Sequence, residues 1–216
     1  MKRTIVVAGM LVAIAAANVG AGYAPLLFTV LDIDSATSLP WNSPRNYLGI
    51  VEGYDVHHLV ADTERLLKQP MPTIVRMETL RRAAVYASRD AQAAEQLVAF
   101  VVGKVSVLPV PGPPDPMALF DAGYVLEVLQ ELQHFEEGTK FFWQRDPAVV
   151  RVTRPYDGWA LLKQSAALRP DDPSIQFTLG LMLPREAAEP YFRRAREGAR
   201  TDALLANNLA RLQLLQ

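Results

Sequence analysis

From Asp55 onward the apolar positions of this chain recur at helical spacing. Val56, Leu59, Val60, Thr63 and Leu67 form one stripe behind the capping residue Asp55. They predict a helix to about Lys68, stopped by Gln69-Pro70-Met71-Pro72. Ile74, Met77, Leu80, Ala84 and Ala87 predict a second helix over Thr73 to Ala87. Leu97, Val98, Val101 and Val105 predict a third, capped by Asp90 and running to about Val107. The connection between these two, Ser88-Arg89-Asp90, is short enough to make them an antiparallel hairpin. Leu108 to Pro116 carries too much proline for a helix and predicts a stiff extended connector.

The broadest apolar pattern follows. Leu119, Ala122, Val125, Leu126, Leu129, Leu132 and Phe135 share a face that Phe120, Tyr124 and Val128 widen. A helix starting at Asp115-Pro116 and ending near Phe135 is therefore expected at the centre of the fold, with Gly123 marking a close helix crossing. Phe141-Phe142-Trp143 forms an aromatic group that is either a satellite core or a docking patch. Arg145 to Arg154 is ambiguous, and Val149 to Val152 reads as a short extended piece.

The last quarter is the most legible. Pro170 ends an apolar-periodic segment, Asp171 and Asp172 offer caps, and Pro173 suits a first helical turn. Gly180 inside the new helix costs about 1 kcal/mol relative to Ala, a cost accepted where a second helix comes close. That second helix is expected over Glu186 to Gly198, with Ala188, Tyr191, Phe192 and Ala195 as its stripe.

This segment resembles the tetratricopeptide repeat family. Leu179-Gly180 occupy the family's mid-helix Leu-Gly place, and Ala188-x3-Phe192-x2-Ala195 match its second helix. Tyr156 to Pro170 is similar to the second helix of an earlier unit. Ala203 to Leu212 is similar to the first helix of a later one, with Leu209-Ala210 in the Leu-Gly place. The unit is about 30 residues long against the family's roughly 34, no Trp begins its first helix, and Arg200-Thr201-Asp202 stand where the closing Pro belongs. The resemblance implies first helices on a concave binding face. By position in the pattern it puts Phe177, Leu181, Asn207 and Arg211 towards a ligand and gives Asn208 a structural place.

At the other end, Lys2-Arg3 precede an apolar run from Thr4 that meets no strongly polar side chain except Asn18 before Asp32. A basic start, an apolar stretch and Ala15-x-Ala17 have the layout of an export signal, and the run is also long enough to span a bilayer. Either way the rest of the chain is expected outside the cytoplasmic membrane, periplasmic or secreted. Ser35 to Pro44 reads as linker, with Trp41 and Tyr47 covering the first helices.

The fold class that emerges is all-α: antiparallel helical hairpins, tetratricopeptide-like at the C-terminus, behind an N-terminal signal or membrane-anchor helix. The divisions are 1–31 signal or anchor, 32–54 linker, 55–107 hairpins, 108–116 connector, 117–155 central helix and aromatic segment, and 156–216 repeats.

Charge and chemistry narrow the function. The chain has 216 residues, is half apolar and carries a formal net charge of −1, which disfavours nucleic acid as a partner. It has no cysteine, so disulfides, thiolate metal sites and a lipid-modified cysteine anchor are excluded. His58 and Asp62 share a helix face, and His134 lies near Glu136 and Glu137, but neither group has a metalloprotease frame. Capping and solvation account for both. Arg193, Arg196 and Arg200 lie at i, i+3, i+7 and form either a solvated face or a stripe for an anionic partner. The expectation is a non-enzymatic, cofactor-free interaction scaffold or adaptor for other proteins. The alternative is an accessory subunit of a membrane complex held by residues 4–31, and a hydrolase is the third reading.

Overall fold

The structure is a computed structural model that describes residues 26–42, 49–106, 114–131 and 148–214. Among these residues it contains nine α-helices, one 3-10 turn and no strand. The turn, Val56–His58, is capped by Asp55, whose carboxylate accepts from the His57 amide. The helices are α1 Leu59–Leu67, α2 Thr73–Ala87, α3 Ala91–Ser106, α4 Pro116–Glu131, α5 Val149–Thr153, α6 Gly158–Leu168, α7 Pro173–Leu181, α8 Arg185–Gly198 and α9 Ala203–Arg211.

Local chemistry sets the boundaries. Asp90, Asp157, Asp172 and Asp202 each accept a backbone amide in the first turn of α3, α6, α7 and α9. Pro173 opens α7 as expected. Val149 to Val152 belongs to the short helix α5, not to an extended piece.

Three helix pairs, α2–α3, α4–α6 and α7–α8, pack side by side, and α9 follows α8. The register of α2, α4 and α7 rises together. Arg76 meets Asp121 and Thr73 meets Asp172, and Thr178 donates to the Met77 sulfur at 3.3 Å. The starts of α2, α7 and α9 converge, because Thr73, Asp172, Pro173 and Asp202 line one open cleft of about 450 Å³. α6 runs back along α4, with Gly158 against Gly123 and the Ser165 hydroxyl donating to the Pro116 carbonyl.

Both glycines marked in the sequence lie at close crossings. A Cβ on Gly123 would stand 2.7 Å from the Gly158 carbonyl oxygen and 2.7 Å from Leu162 Cγ. A Cβ on Gly180 would stand 2.6 Å from the Phe192 ring, so α7 and α8 meet as the glycine predicted. The central place given to α4 also holds, since every residue from Ala118 to Leu126 is buried.

The N-terminal boundary differs from the sequence reading. Residues 26–31 were assigned to the signal or anchor and 32–54 to a linker. Instead Leu26, Leu27, Val30, Leu31, Ile33 and Leu39 are buried core residues in a non-helical strap laid over the helices. Each such side chain contributes about 1.5–3 kcal/mol relative to exposure, which a solvated linker would forgo. Residues 1–25, the preceding part of that segment, lie outside the described residues, as do Tyr47, Phe141-Phe142-Trp143 and His134 with Glu136 and Glu137. No helix among the described residues is long and apolar enough to cross a membrane.

Candidate functional site

The polar feature that organises this molecule is the clasp around the strap. Where the strap is buried, the amides and carbonyls that its local turns leave unpaired have no helix or sheet ladder to join, and each must find a partner. Side chains supply them. Glu131, at the end of α4, accepts from the Leu26 and Leu27 amides at 2.9 and 2.7 Å. Glu78 on α2 accepts from the Leu31 amide at 3.2 Å. Arg81 donates to the Leu27 carbonyl and Arg82 to the Leu39 carbonyl, at 3.2 and 2.8 Å. Asn208 on α9 accepts from the Asp32 amide and donates to the Asp32 carbonyl, both at 2.8 Å. Tyr86 closes the far end, donating to the Pro40 carbonyl and accepting from the Val51 amide.

The charges are buried but mutually satisfied. Glu78 and Arg81 are fully buried and Arg82 nearly so. The Glu78 carboxylate takes both Nε and Nη2 of Arg81 and Nε of Arg82, each at 2.8 Å. Helical spacing makes this possible, since positions i+3 and i+4 share a face with i. Trp41, returning on the strap, places its ring 5.0 Å from the Arg81 guanidinium and 5.5 Å from that of Arg82. With Glu131, the clasp balances two carboxylates against two guanidiniums.

Neighbouring groups carry the electrostatic consequences of burial. Desolvation pushes the Asp121 carboxyl up, opposed by its paired bonds to Arg76 at 2.5 and 2.6 Å. Burial raises Glu127 to about 6, opposed by the Trp159 amide and reinforced by Asp157. Tyr124, wholly enclosed near Glu78, Arg81 and Glu131, is held protonated by desolvation.

The candidate ligand residues divide. Phe177 and Leu181 are buried core side chains, so they are not offered to a ligand. The physical reason is the close α7–α8 contact at Gly180 and the packing of α7 on α2, which leave α7 covered on all sides. Asn207 and Arg211 are exposed on α9. Asn208 has the structural place expected of it. Of the arginine stripe, Arg193 and Arg200 are exposed, whereas Arg196 is bound to Glu189 and to the Leu214 carbonyl. His58 faces Asp55 at 3.6 Å on the surface, while Asp62 accepts from Tyr54 and Arg65, so His58 and Asp62 form no joint site. Among the described residues no group of three or more His, Cys, Asp or Glu is placed to hold a metal ion.

Sequence reasoning missed Glu78, Arg81, Arg82 and Glu131. Glu78 with Arg81 and Arg82 at i+3 and i+4 reads as an ordinary surface ion pair. One signal was available: α2 has apolar residues on almost every side, which leaves its charges little surface to occupy.

The structure thus defines an all-α stack of helical hairpins closed by its own extended strap. No protein-family model matches the chain, and neither the curated proteins nor the solved structures give a match.

Proposed function

We propose that this chain is a non-enzymatic, extracytoplasmic interaction protein, a scaffold or adaptor of tetratricopeptide-like helical hairpins that acts by holding other proteins. The observation that carries this reading is the clasp itself. Side chains of three parallel first helices bind the backbone of an extended segment, and extended binding surfaces are what stacked helical repeats provide. The clasp is occupied by the chain's own strap, so partners are expected on the exposed face of α9, around Asn207 and Arg211. The full chain is captured from detergent-solubilised membranes and compared with Asn207→Ala/Arg211→Ala. Partners present in fixed stoichiometry with the parent chain and lost from the variant, at unchanged thermal stability, are the expected result. A chain that elutes alone, or a variant that keeps its partners, refutes the assignment.

A second reading, the accessory subunit of a membrane complex, is favoured by the position of Leu26. Residues 4–25 are 22 in number, about the length a bilayer crossing needs. The very next residue is buried and bonded to Glu131, so no linker would separate a span from the folded domain. Intact-mass measurement of the mature protein tests it, and loss of the N-terminal residues sinks it.

A further inference from the structure

We propose that the cleft where α2, α7 and α9 start binds a basic peptide segment, through an arginine or lysine side chain and one backbone carbonyl of that peptide. The site is separate from the exposed face of α9 and does not depend on it. Most polar groups of the cleft are already committed to the fold. The Asp172 carboxylate accepts the Ser174 and Ile175 amides, the Thr73 hydroxyl at 3.3 Å and the Arg169 guanidinium at 3.2 Å. One oxygen of Asp202 accepts the Leu205 amide. The cations of this end are placed elsewhere: Arg169 is held by Asp172, Lys68 is paired with Glu64 at 3.0 Å, and the exposed Arg200 lies outside the cleft lining.

Three groups are left over. Asp171 lines the cleft, is exposed and takes part in no ion pair or hydrogen bond among the described residues. The second oxygen of Asp202 accepts nothing there either. Ser174 lines the cleft while only 2 % exposed. Its amide is bonded to Asp172 and its carbonyl accepts from Thr178, but its hydroxyl meets no partner among the described residues. Leaving a buried hydroxyl unmade costs about 1–3 kcal/mol, and the cleft is the side from which a ligand can satisfy it. Two carboxylates that can only accept call for a ligand rich in donors, which a guanidinium or ammonium is. The serine hydroxyl can donate to the backbone carbonyl beside that cation. Among the described residues the acids are not grouped to hold a metal ion, which favours an organic cation. The exposed Leu168, with Pro170 and Pro173, gives an apolar wall for the methylene stem. The volume of about 450 Å³ falls within the range of small-ligand clefts, about 300–1,000 Å³.

Fluorescence anisotropy of the full chain in nonionic detergent tests the site. The probe is a short fluorescein-labelled peptide in which two arginines flank a leucine, compared with the same peptide carrying citrulline in place of arginine. Citrulline keeps the shape and loses the charge. Saturable binding of the arginine peptide, about ten-fold tighter than that of its citrulline counterpart, is the expected result, the size of one charge-assisted contact. Asp171→Asn/Asp202→Asn is expected to lose this preference and to stay folded, since Asn also caps a helix. Ser174→Ala is expected to weaken both peptides by the same several-fold factor at an unchanged thermal midpoint, because its hydroxyl serves the peptide backbone. Asn207→Ala/Arg211→Ala is expected to bind the peptide as the parent does, so a chain that binds it yet captures no partner fails the scaffold reading and leaves the cleft standing. Equal affinity for the two peptides, or a double aspartate variant that keeps the preference, overturns the cation site. Parent affinity in Ser174→Ala overturns the part given to the hydroxyl, and loss of peptide binding in Asn207→Ala/Arg211→Ala overturns the placement in the cleft.

Discussion

Replacing Glu78 by Gln tests whether the clasp holds the fold together. The carboxylate accepts four hydrogen bonds, two from Arg81, one from Arg82 and one from the Leu31 amide. Gln is nearly isosteric but carries an NH₂ group where an oxygen received donors, so at least one guanidinium or the Leu31 amide must face another donor. The change also leaves two buried guanidiniums against the single carboxylate of Glu131. Breaking a buried ion pair on one side costs about 3–5 kcal/mol, because the other charge stays buried without compensation. For a domain of this size each kcal/mol lowers the midpoint by about 2–4 °C, so a drop of about 10 °C is expected. Thermal unfolding followed by circular dichroism in detergent gives the midpoint, and limited proteolysis with a broad-specificity protease reports release of residues 26–42. Glu64→Gln, which weakens the exposed pair with Lys68, is the control and should move the midpoint little, since exposed pairs contribute about 0–1 kcal/mol. A midpoint for Glu78→Gln within about 2 °C of the parent, with the strap still protected, would refute the assignment of the clasp as the strap's anchor.

Three further outcomes are expected. Gly180→Ala should destabilise by about 1–3 kcal/mol in chemical denaturation despite the helical preference for Ala, because its Cβ would lie 2.6 Å from the Phe192 ring; a stabilised variant would mean that α7 and α8 can separate without cost. Asn208→Ala removes a fully buried side chain with both of its hydrogen bonds to the Asp32 backbone and should cost about 1–3 kcal/mol, whereas Asn207→Ala, one residue away and exposed, should stay within about 0.5 kcal/mol. Glu127 reads out in pH. Its folded value of about 6 lies above the ordinary 4.5, so the folded state holds the proton more tightly and stability is lost as pH rises through that window. Allowing for its partial exposure, Glu127→Gln should be more stable than the parent by about 1 kcal/mol at pH 7 and equal to it below about pH 4.5; a difference that does not vary with pH contradicts the raised value.

Much of the fold was legible because it is local. Helix spacing, Asp caps and proline stops lie within a few residues of one another, so Thr73 to Ala87 and the α7–α8 hairpin were readable from pattern alone. Gly123 and Gly180 were informative for the same reason, since a glycine inside a helix needs a neighbour that leaves no room for a side chain. The failures concern partners distant in sequence. Leu26 to Leu31 continues the apolar run of the N-terminus without a break, and hydropathy cannot separate a residue bound for lipid from one bound for a core. Glu78 meets Leu31 across 47 positions, and Asn208 meets Asp32 across 176.

The sequence by itself determined the helical class, the caps at Asp90 and Asp172 and the two close crossings, because those depend on backbone geometry and neighbouring side chains. Only the tertiary structure decided that residues 26–42 are part of the domain and that Phe177 and Leu181 are core. It alone decided that the charges of α2 point inward, because the buried part of a non-helical strap laid over the helices takes donors and acceptors from residues far away in sequence.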